Sequence, residues 1–483
     1  MKHSVWAAAL CVVLAGHNHH ATAQSGVQVF CSDTLVTNTF EWAKRTALSY
    51  AHHGTDPVGL WYEAALPQRE AFCMRDVAHQ STGAHIIGLA GHNKNMLHKF
   101  AQYISDGKDW CTYWEINRHD LPAPIDYVND QEFWYNLCGN PDVIQACYKM
   151  YRWTADEDYL RDTTFCRFYR LSLDQYISRW QLSPDSIMLR PRFMNKPEPF
   201  NPDNHFHTCR GLASYVENFA GLSVGVDLIA ALYAGYHAHA TMTSLTRQHA
   251  TARRHEARAN RYRQLLDTRW WDADSTRYNT FWTEEGKFYR GEGIPFMLWF
   301  GATDRTDRLR ASVHDILSRD WNVENLSYLP ALLYRLGYTQ EAHRILLQLP
   351  HVHRSDYPEV SYATVEGVVC GCMGIDPEAE SGIITTCCKL PDPQADISVG
   401  QLPVWDGTIS VSHQGHSSST LTNHTNRTVR WRAEFMGEHN RLYCAGKAPR
   451  TYRHTDVYGN TYTYIYIDVK PGQSRSVQVK KDR

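Results

Sequence analysis

The sequence predicts a mainly α protein, an (α/α)6 toroid followed by a small C-terminal β-sandwich. Three observations lead to this fold class. From about residue 35 to 375, long helical patterns alternate with loops rich in Pro, Gly, Asn and Asp. Within that region, apolar helices are followed by charged, amphipathic ones, which is the pattern of inner and outer helices. After Ile375, polar and apolar residues alternate and Val, Thr, Tyr and Ile are frequent, as in β-strands.

The composition limits the function classes. The chain has 483 residues, of which 43% are hydrophobic, enough for one large domain and a smaller one. Its formal charge of -2 argues against a nucleic-acid partner, because phosphate binding needs a basic surface. The 15 Trp, 28 Tyr and 26 His suit carbohydrate binding, since aromatic faces complement the apolar faces of pyranose rings. An aromatic-rich core explains the same composition equally well.

The first 23 residues are typical of a secretory signal. Lys2 precedes an apolar stretch over 5–15, and the small residues 21–23 offer a cleavage site. The apolar stretch is too short to span a bilayer, so no transmembrane segment is expected. We expect an exported protein, periplasmic or secreted, whose mature chain begins near Gln24.

Twelve cysteines follow the signal, and export permits disulfides. Cys370 and Cys372 on one helix, and the adjacent Cys387 and Cys388, lack the spacing of paired zinc knuckles. We expect mostly buried thiols, with the disulfide pattern open, and neither a metal nor another cofactor.

The helical elements follow in order along the chain. Residues 78–106 carry apolar residues at helical spacing, and 141–180 indicate two helices that meet at 154–156. Residues 223–245 are almost wholly apolar or small, as in an inner helix buried on all sides, whereas 252–271 is charged on most faces. Two further helix pairs are 306–319 with 326–337 and 338–349 with 361–374.

These elements predict a division into three parts. Residues 1–23 form the signal, 24–390 form six helical hairpins, and 395–483 form the β-sandwich. We expect the sandwich to pack against the helices rather than to bind a ligand.

Five stretches resemble the six-hairpin glycosidases, particularly trehalase-like and glucosidase-I-like enzymes and family-125-type mannosidases. The resemblance covers roughly residues 60–375 and includes the order of the stretches. It implies an (α/α)6 barrel and a glycoside hydrolase acting on oligo- or polysaccharide. The trehalase-type Ser-Gly-Trp-Asp segment is absent, and RGLASYVENF (210–219) stands at its place. The five stretches are CMRDVAHQ (73–80), MYRWTADEDYL (150–160), VGVDLIAALYAGY (224–236), DTRWWDADSTRYNTFW (267–282) and YPEVSYATVEGVVCGCMGI (357–375).

Glycosidic cleavage needs one carboxyl to protonate the leaving oxygen and another to activate water or attack the sugar. In a toroid the N-terminal ends of the inner helices meet at one mouth, so these carboxyls should lie at inner-helix starts. Glu217, just ahead of the buried helix, is the predicted acid, because burial among aromatic neighbours would raise its pKa. A helix-start carboxylate paired with Arg210 is the alternative. The resemblance implies Glu359 as the base, with Glu366, two turns deeper, as its rival.

The stretch DYVNDQEFWYNL (126–137) concentrates acidic and aromatic residues. If Asn129 caps a helix there, Glu132 occupies the third helical position, from which a side chain reaches back to the cap. Asp130 and Glu132 are two residues apart, so they cannot both face one cleft from a helix. Both follow Glu217 as catalytic candidates, in a segment that we expect to line a sugar-binding surface.

Arg75 and Asp76 open the first long inner helix, and the resemblance implies that they bind hydroxyls of the terminal sugar. A capping role for Asp76 is the alternative. Trp110 and Trp114 are candidate stacking surfaces. The pair His205 and His207 does not by itself make a metal site. The remaining predicted substrate contacts are His79, Trp134, Glu292 and Glu366.

The sequence therefore predicts an exported, exo-acting glycoside hydrolase of the inverting type. Two alternatives stay open. A polysaccharide lyase or uronate-processing enzyme on the same toroid would use cations such as Arg75, Arg192 and Arg210. A carbohydrate-binding protein would keep the barrel without the chemistry.

Overall fold

The computed structural model describes residues 26–216, 221–456 and 458–479. The predicted signal peptide and Glu217 lie outside the described residues.

Twelve helices of the described chain alternate between an inner and an outer position. The inner helices are α2 (Met74–Ile86), α4 (Gly139–Thr154), α6 (Val226–Leu245), α8 (Ile294–Trp299), α10 (Leu329–Arg335) and α12 (Pro358–Glu366). The outer helices are α1 (Thr34–Ser49), α3 (Ala90–Gln102), α5 (Thr163–Leu173), α7 (His249–Leu265), α9 (Thr306–Leu317) and α11 (Thr339–Gln348).

The inner helices contact one another in a closed cycle. Each contacts the next in chain order, and α12 returns to contact α2. The outer helices pack on them: α1 on α12, α3 on α2, α5 on α4, α7 on α6, α9 on α8 and α11 on α10. The chain is therefore mainly α, with the helices arranged as a two-layered ring.

The amino-acid pattern explains which layer each helix joins. In α2 every residue except Arg75 is buried, and α6 is buried on all faces over its first three turns. In α7 a single stripe is buried, formed by Ala252, His255, Ala259 and Tyr262. The remaining surface of α7 is charged, so water solvates it on the outside of the ring.

Two segments differ from the sequence prediction. Residues 78–106 form two helices, α2 and α3, because the chain reverses at Gly88, whose φ of +94° favours glycine. Residues 126–137 form no helix: Tyr127–Asn129 and Glu132–Phe133 pair as a hairpin. The Asn129 side chain accepts hydrogen bonds from the backbone N–H groups of Gln131 and Glu132, which closes a turn instead of capping a helix.

Short elements connect the helices. Further helical turns lie at Asp158–Arg161, Gln175–Arg179, His205–Thr208 and Val323–Leu326, with 3₁₀ turns at Asp106–Lys108, Ile187–Leu189 and Leu349–His351 and π turns at Leu266–Trp270 and Gly367–Cys372. Short strand pairs join Ala51–His53 to Leu60–Tyr62, Ala71–Cys73 to Glu115–Asn117, Tyr135–Asn136 to Arg210–Leu212 and Trp271–Asp272 to Arg277–Tyr278. A three-stranded sheet contains Leu222–Gly225, Phe281–Thr283 and Phe288–Tyr289.

Two larger sheets form the β part of the molecule. The strands are β1 (Gln28–Cys31), β2 (Asp376–Glu378), β3 (Ile383–Thr386), β4 (Asp396–Val404), β5 (Gly407–Gln414), β6 (Ser418–Asn423), β7 (Val429–Met436), β8 (Leu442–Cys444), β9 (Tyr452–Thr455), β10 (Thr461–Val469) and β11 (Ser474–Val479). One sheet has the order β1-β4-β5-β6-β11-β8 and the other β2-β3-β7-β10-β9. The sheets meet at β6, where Ser419 lies 3.4 Å from Thr386 of β3. Within these two sheets, every pairing is antiparallel except that of β3 with β7.

The β part draws strands from both sides of the helical region. The N-terminal strand β1 pairs with β4, with Gln28 opposite Gly400. Strands β2 and β3 also fall inside the range 24–390 that the sequence assigns to the helices, yet they pair into the second sheet. The sheets dock on the ring through Trp405, whose backbone N–H and indole N–H bond to the carbonyls of Trp153 and Arg152.

In the part of the chain that the structure describes, no helix combines the length and apolar character needed to cross a membrane. The twelve cysteines in these residues are free thiols, most of them buried.

Candidate functional site

A cavity of about 610 Å³ opens where the inner helices begin. Asp76 lies in the first turn of α2, Asp227 in the first turn of α6 and Glu359 in the first turn of α12. Helix N-terminal ends carry positive potential, which favours carboxylates at these positions. We call this space the rim cavity. It lies where the sequence predicted that the side chains of the inner-helix starts would meet.

The rim cavity brings together many of the predicted site residues and several that were not predicted. The predicted residues that line it are Arg75, Asp76, Trp114, Trp134, Glu292 and Glu359. Charged and aromatic residues not predicted as site residues also line it, among them Arg69, Glu115, Asp126, His205, Tyr215, Asp227, Phe296, Glu324 and Tyr357.

Arg75, Asp76 and Glu359 form one charged cluster. The Arg75 Nε donates to Asp76 Oδ1 over 3.2 Å. Burial raises the pKa of the Glu359 carboxyl well above its ordinary value, and the charge of Asp76 raises it further, while Arg75 lowers it. Glu359 is only 5% exposed. The cluster therefore places a carboxyl of raised pKa beside an ion pair.

Arg69, Glu115 and Asp126 form a second cluster of the same composition. The Arg69 guanidinium bonds Glu115 and lies 3.9 Å from Asp126. Burial and the charge of Asp126 raise the pKa of Glu115 to about 8. Sequence reasoning missed this cluster because none of its members lies at the start of an inner helix: Arg69 and Asp126 lie in loops, and Glu115 begins a short strand. The available signal was Glu115 directly after Trp114, which was already a candidate.

Asp227 positions the loop that carries Tyr215. It accepts hydrogen bonds from the Ser214 hydroxyl at 2.8 Å and the Tyr215 backbone N–H at 2.7 Å. The two hydrogen bonds lower the pKa of Asp227, but burial has the larger effect and raises it to about 6. The Val-Asp-Leu sequence at the start of α6 was visible, and the reasoning applied to Asp76 would have selected Asp227 too.

Glu292 lies in the loop before α8, and its side chain contacts the segment that precedes another inner helix, α10. Its carboxylate accepts from the side-chain amides of Asn322 at 3.3 Å and Asn325 at 3.2 Å. These asparagines belong to the loop before α10, which also carries Glu324. Glu292 therefore ties two loops of the rim together while facing the cavity.

Trp114 and Trp134 supply the indole surfaces of the cavity. Trp134 packs on His205 with ring centroids 5.3 Å apart, and its indole N–H has no partner in the described structure. Trp110 was predicted to line the site but does not. Its carbonyl accepts from Asn140, which holds the start of α4.

His79 lies beneath the rim cavity rather than in it. It is 2% exposed and packs among Phe296, Trp299 and Tyr328, with ring centroids 4.6 to 5.5 Å away. Its Nε2 lies 3.6 Å from Asp142, which also accepts from the Tyr215 hydroxyl at 2.6 Å. Burial lowers the pKa of His79, so the ring is neutral at pH 7. His79 therefore belongs to an aromatic floor beneath the cavity, and its contact with a substrate stays a prediction.

Asp130 and Glu132 do not line the rim cavity either. The Asp130 carboxylate accepts from the Tyr127 hydroxyl at 2.6 Å across its own hairpin. Glu132 accepts from Asn204 at 2.9 Å and lies 3.2 Å from His207. The hairpin turns both acids away, so they stabilise loops, and Asp126 is the acid of this stretch that faces the cavity.

Glu366 lies at the other end of α12, in a separate cavity of about 460 Å³ between the ring and the sheets. Lys149 and Arg335 line the same space. Burial raises the pKa of Glu366, and the charges of Lys149 and Arg335 oppose that rise. The two glutamates therefore lie at opposite ends of the ring, and Glu359 is the one of the pair that lines the rim cavity.

Two of the three cations that favoured a lyase lie away from the rim cavity. Arg210 is buried and pairs with Asp109, and Arg192 packs over the Phe193 ring at 4.6 Å. Among the described residues, no group of three His, Cys, Asp or Glu side chains is placed to hold a metal ion.

Comparisons with known proteins were made at the level of sequence and of structure. No protein-family model and no curated protein sequence matches the chain. A solved structure of similar fold is the alpha-L-rhamnosidase from Dictyoglumus thermophilum, with a TM-score of 0.61 and 13% identity over 95% of this chain and 51% of that one. A GH78 family rhamnosidase of Bacillus sp. GL1 has a TM-score of 0.51 and 10% identity over 83% and 40% of the two chains.

A protein described as a sialidase is also similar, with a TM-score of 0.54 and 10% identity over 80% of this chain and 38% of that one. The chain spans about half the length, or less, of these three proteins. The likeness is one of fold.

Proposed function

We propose that the protein is a glycoside hydrolase on an (α/α)6 toroid with a C-terminal β-sandwich, and that the rim cavity is its active site. The observation that carries the proposal is the convergence of carboxyl groups and indole faces at the starts of the inner helices. Carboxyl groups perform acid–base chemistry on glycosidic oxygens. Indole faces complement pyranose rings. The fold shared with two rhamnosidases and a sialidase supports the same conclusion.

We assign the proton donor to Glu359. A general acid must hold its proton near neutral pH, and both burial and the charge of Asp76 raise the pKa of Glu359 in that direction. This reverses the role of base that the sequence resemblance implies for the same residue. The second carboxyl comes from another acid of the rim cavity, and Asp76 is the one whose charge acts on Glu359 most strongly.

The aromatic floor supports exo action. Phe296 lines the rim cavity, whereas Trp299, one turn further along α8, lines the cavity at the other end of the ring. The floor that contains both rings and His79 separates the two spaces. A pocket closed at its inner end holds the terminal sugar of a chain and leaves the rest outside.

Glu359→Gln tests the site. We expect activity to fall by about 10²–10⁴-fold, because general acid catalysis contributes on that scale. The substrate is found first with a panel of aryl glycosides and oligosaccharides. Glu366→Gln is the matched control, since it makes the same change on the same helix at the far end of the ring. Equal activity in both variants would reject the rim cavity as the active site.

Leaving-group dependence tests the donor role. Glu359→Ala should hydrolyse an aryl glycoside whose leaving group is an acidic phenol much faster than a glycoside whose leaving group is an alcohol. The acidic phenol departs without a proton, whereas the alcohol needs one. Rate losses that are equal for both leaving groups, with rescue by azide, would make Glu359 the base or nucleophile instead.

We also propose inversion at the anomeric carbon and export of the protein, as the sequence predicts. Proton NMR of the first-formed sugar identifies its anomer. N-terminal sequencing of protein recovered outside the cytoplasm tests the cleavage near Gln24. A first product with the substrate's own configuration would replace inversion by retention.

A further inference from the structure

A third cavity, of about 860 Å³, lies on the outside of the ring between α5, the second half of α6, and α7. Asp227 at the start of α6 lines the rim cavity, whereas Thr243 lines this one. Sixteen helical residues separate them, which is about 24 Å along the helix axis. We call this space the arginine groove, and it is distinct from the proposed active site.

The arginine groove has a strong excess of positive charge. Four arginines line it, Arg167, Arg170, Arg254 and Arg258, and Asp174 is the one acidic residue among its lining residues. Across residues 26–216, 221–456 and 458–479, none of these four guanidinium groups has a carboxylate within 4 Å. Elsewhere on α7, by contrast, Arg261 pairs with Asp185 and Arg263 with Asp304.

The groove also contains buried polar groups and aromatic rings. His239 and His255 face each other with their Nδ1 atoms 2.8 Å apart, so one ring donates to the other and both are neutral. Tyr169 and Tyr236 form apolar sides, and Thr243, Thr246 and Thr251 add hydroxyls. Guanidinium groups bind sulfate and carboxylate oxygens with paired hydrogen bonds. Tyrosine rings and hydroxyls suit a sugar framework.

We propose that the arginine groove binds the sulfate or carboxylate groups of an acidic oligosaccharide. Anion binding follows from four arginines that have no carboxylate partner in the described part of the chain, although Arg167 donates to the Ile104 carbonyl at 3.3 Å. The choice of a saccharide rests on the proposed function. A groove on the outer surface would hold a remote part of an acidic chain, or tether the enzyme to it, while the rim cavity receives a chain end.

The test is calorimetric titration of the full-length protein with a heparin-derived hexasaccharide, a hexameric oligogalacturonate and inorganic phosphate. The test variant is Arg254→Gln with Arg258→Gln. The control is Arg253→Gln, since Arg253 is exposed on the same helix but does not line the groove. We expect one of the saccharides to bind, with affinity that falls with salt. The double variant should lose about tenfold or more of that affinity, and the control should keep it.

Three results would overturn the proposal: no binding of any probe, equal loss in the control, or binding of phosphate alone. A duplex oligonucleotide that binds as tightly as the better saccharide would overturn the choice of ligand. Hydrolysis of a small neutral aryl glycoside is measured in parallel. Because that substrate does not reach the groove, it reports on the rim cavity separately, so failure of one proposal leaves the other measurable.

Discussion

Two buried acids in the rim cavity have pKa values raised by burial, and each lies beside an arginine and an aspartate. Glu359 does so with Arg75 and Asp76, and Glu115 with Arg69 and Asp126. An acid kept protonated in the folded state is destabilising when the unfolded chain would ionise it. The molecule therefore loses stability at these positions, and the catalysis proposed above would be a reason for retaining them.

Glu115→Gln should stabilise the protein in a pH-dependent way. The folded-state pKa of Glu115, about 8, lies above its ordinary value of 4.5. Below the ordinary value both states are protonated and the substitution has no electrostatic effect. As pH rises from 4.5 to 8 the unfolded chain ionises alone, so wild-type stability falls and the advantage of the variant grows. Thermal melts of both proteins should differ by about 2 °C or more at pH 8.

The control for this prediction is the same pair of melts near pH 4.5, where the melting temperatures should converge. A difference of the same size at both pH values would show that packing, rather than ionisation, distinguishes the two proteins.

At the residue scale, six of the twelve residues predicted for the site line the rim cavity. Arg75, Asp76, Glu292 and Glu359 were found because each begins, or directly precedes, an inner helix. Residues carried by irregular loops were missed or misplaced, because the direction of a loop side chain depends on tertiary hydrogen bonds. For this reason the prediction selected Asp130, whereas Asp126, four residues earlier, is the acid that lines the rim cavity.

At the scale of elements, glycines set how closely the inner helices approach. A Cβ at Gly83 of α2 would lie 2.0 Å from the Tyr362 carbonyl oxygen of α12. At Gly235 of α6 it would lie 2.8 Å from Pro141 of α4. These contacts join neighbouring inner helices, so the spacing of the ring depends on the absence of a side chain at these positions.

Gly83→Ala should therefore strongly destabilise the protein. The new methyl group meets backbone rather than a movable side chain, and overpacking of this kind costs about 1–3 kcal/mol or more. Gly400→Ala, in β4, is the control, because its Cβ would meet nothing within 4 Å. Urea unfolding should separate the two variants, and a Gly83 variant as stable as the Gly400 variant would contradict the close approach of α2 and α12.

Helix identity was predictable where the apolar pattern was long. The predicted fully apolar inner helix over 223–245 corresponds to α6, and the predicted meeting point at 154–156 corresponds to the end of α4. The break between α2 and α3 was missed because Gly88 interrupts a periodic pattern without a proline. The hairpin at 127–133 was missed because Asn initiates turns and caps helices by the same side-chain hydrogen bonds.

At the scale of the whole molecule, the ring and the sheets share one hydrophobic core. The β part is joined to the ring by β1 at one end of the chain and by β2 and β3 after α12. His85 of α2 bonds the Pro403 carbonyl of β4 at 3.1 Å, which adds a direct tie between an inner helix and the sheet. The sequence pattern could distinguish the helical region from the region of strands. A four-residue strand such as β1, far from its partner in the chain, is too short for its pattern to assign it to a sheet.

A fragment of residues 26–390 should not fold as a stable unit. It would leave β1 without β4 and β3 without β7, and it would expose the apolar surface that the sheets cover. Expression of this fragment should give aggregated protein or a broad, non-cooperative melt. A soluble fragment with a sharp thermal transition would show instead that the helical ring is an independent domain.

The pairing of β1 with β4 has a consequence for synthesis on the ribosome. About 365 residues separate the two strands. At a translation rate of about 5–20 residues per second, β1 emerges roughly 20–70 s before its partner exists. During that interval its backbone donors and acceptors are open to strands of other nascent chains, so newly made molecules are at greatest risk of co-aggregation when many ribosomes translate one message.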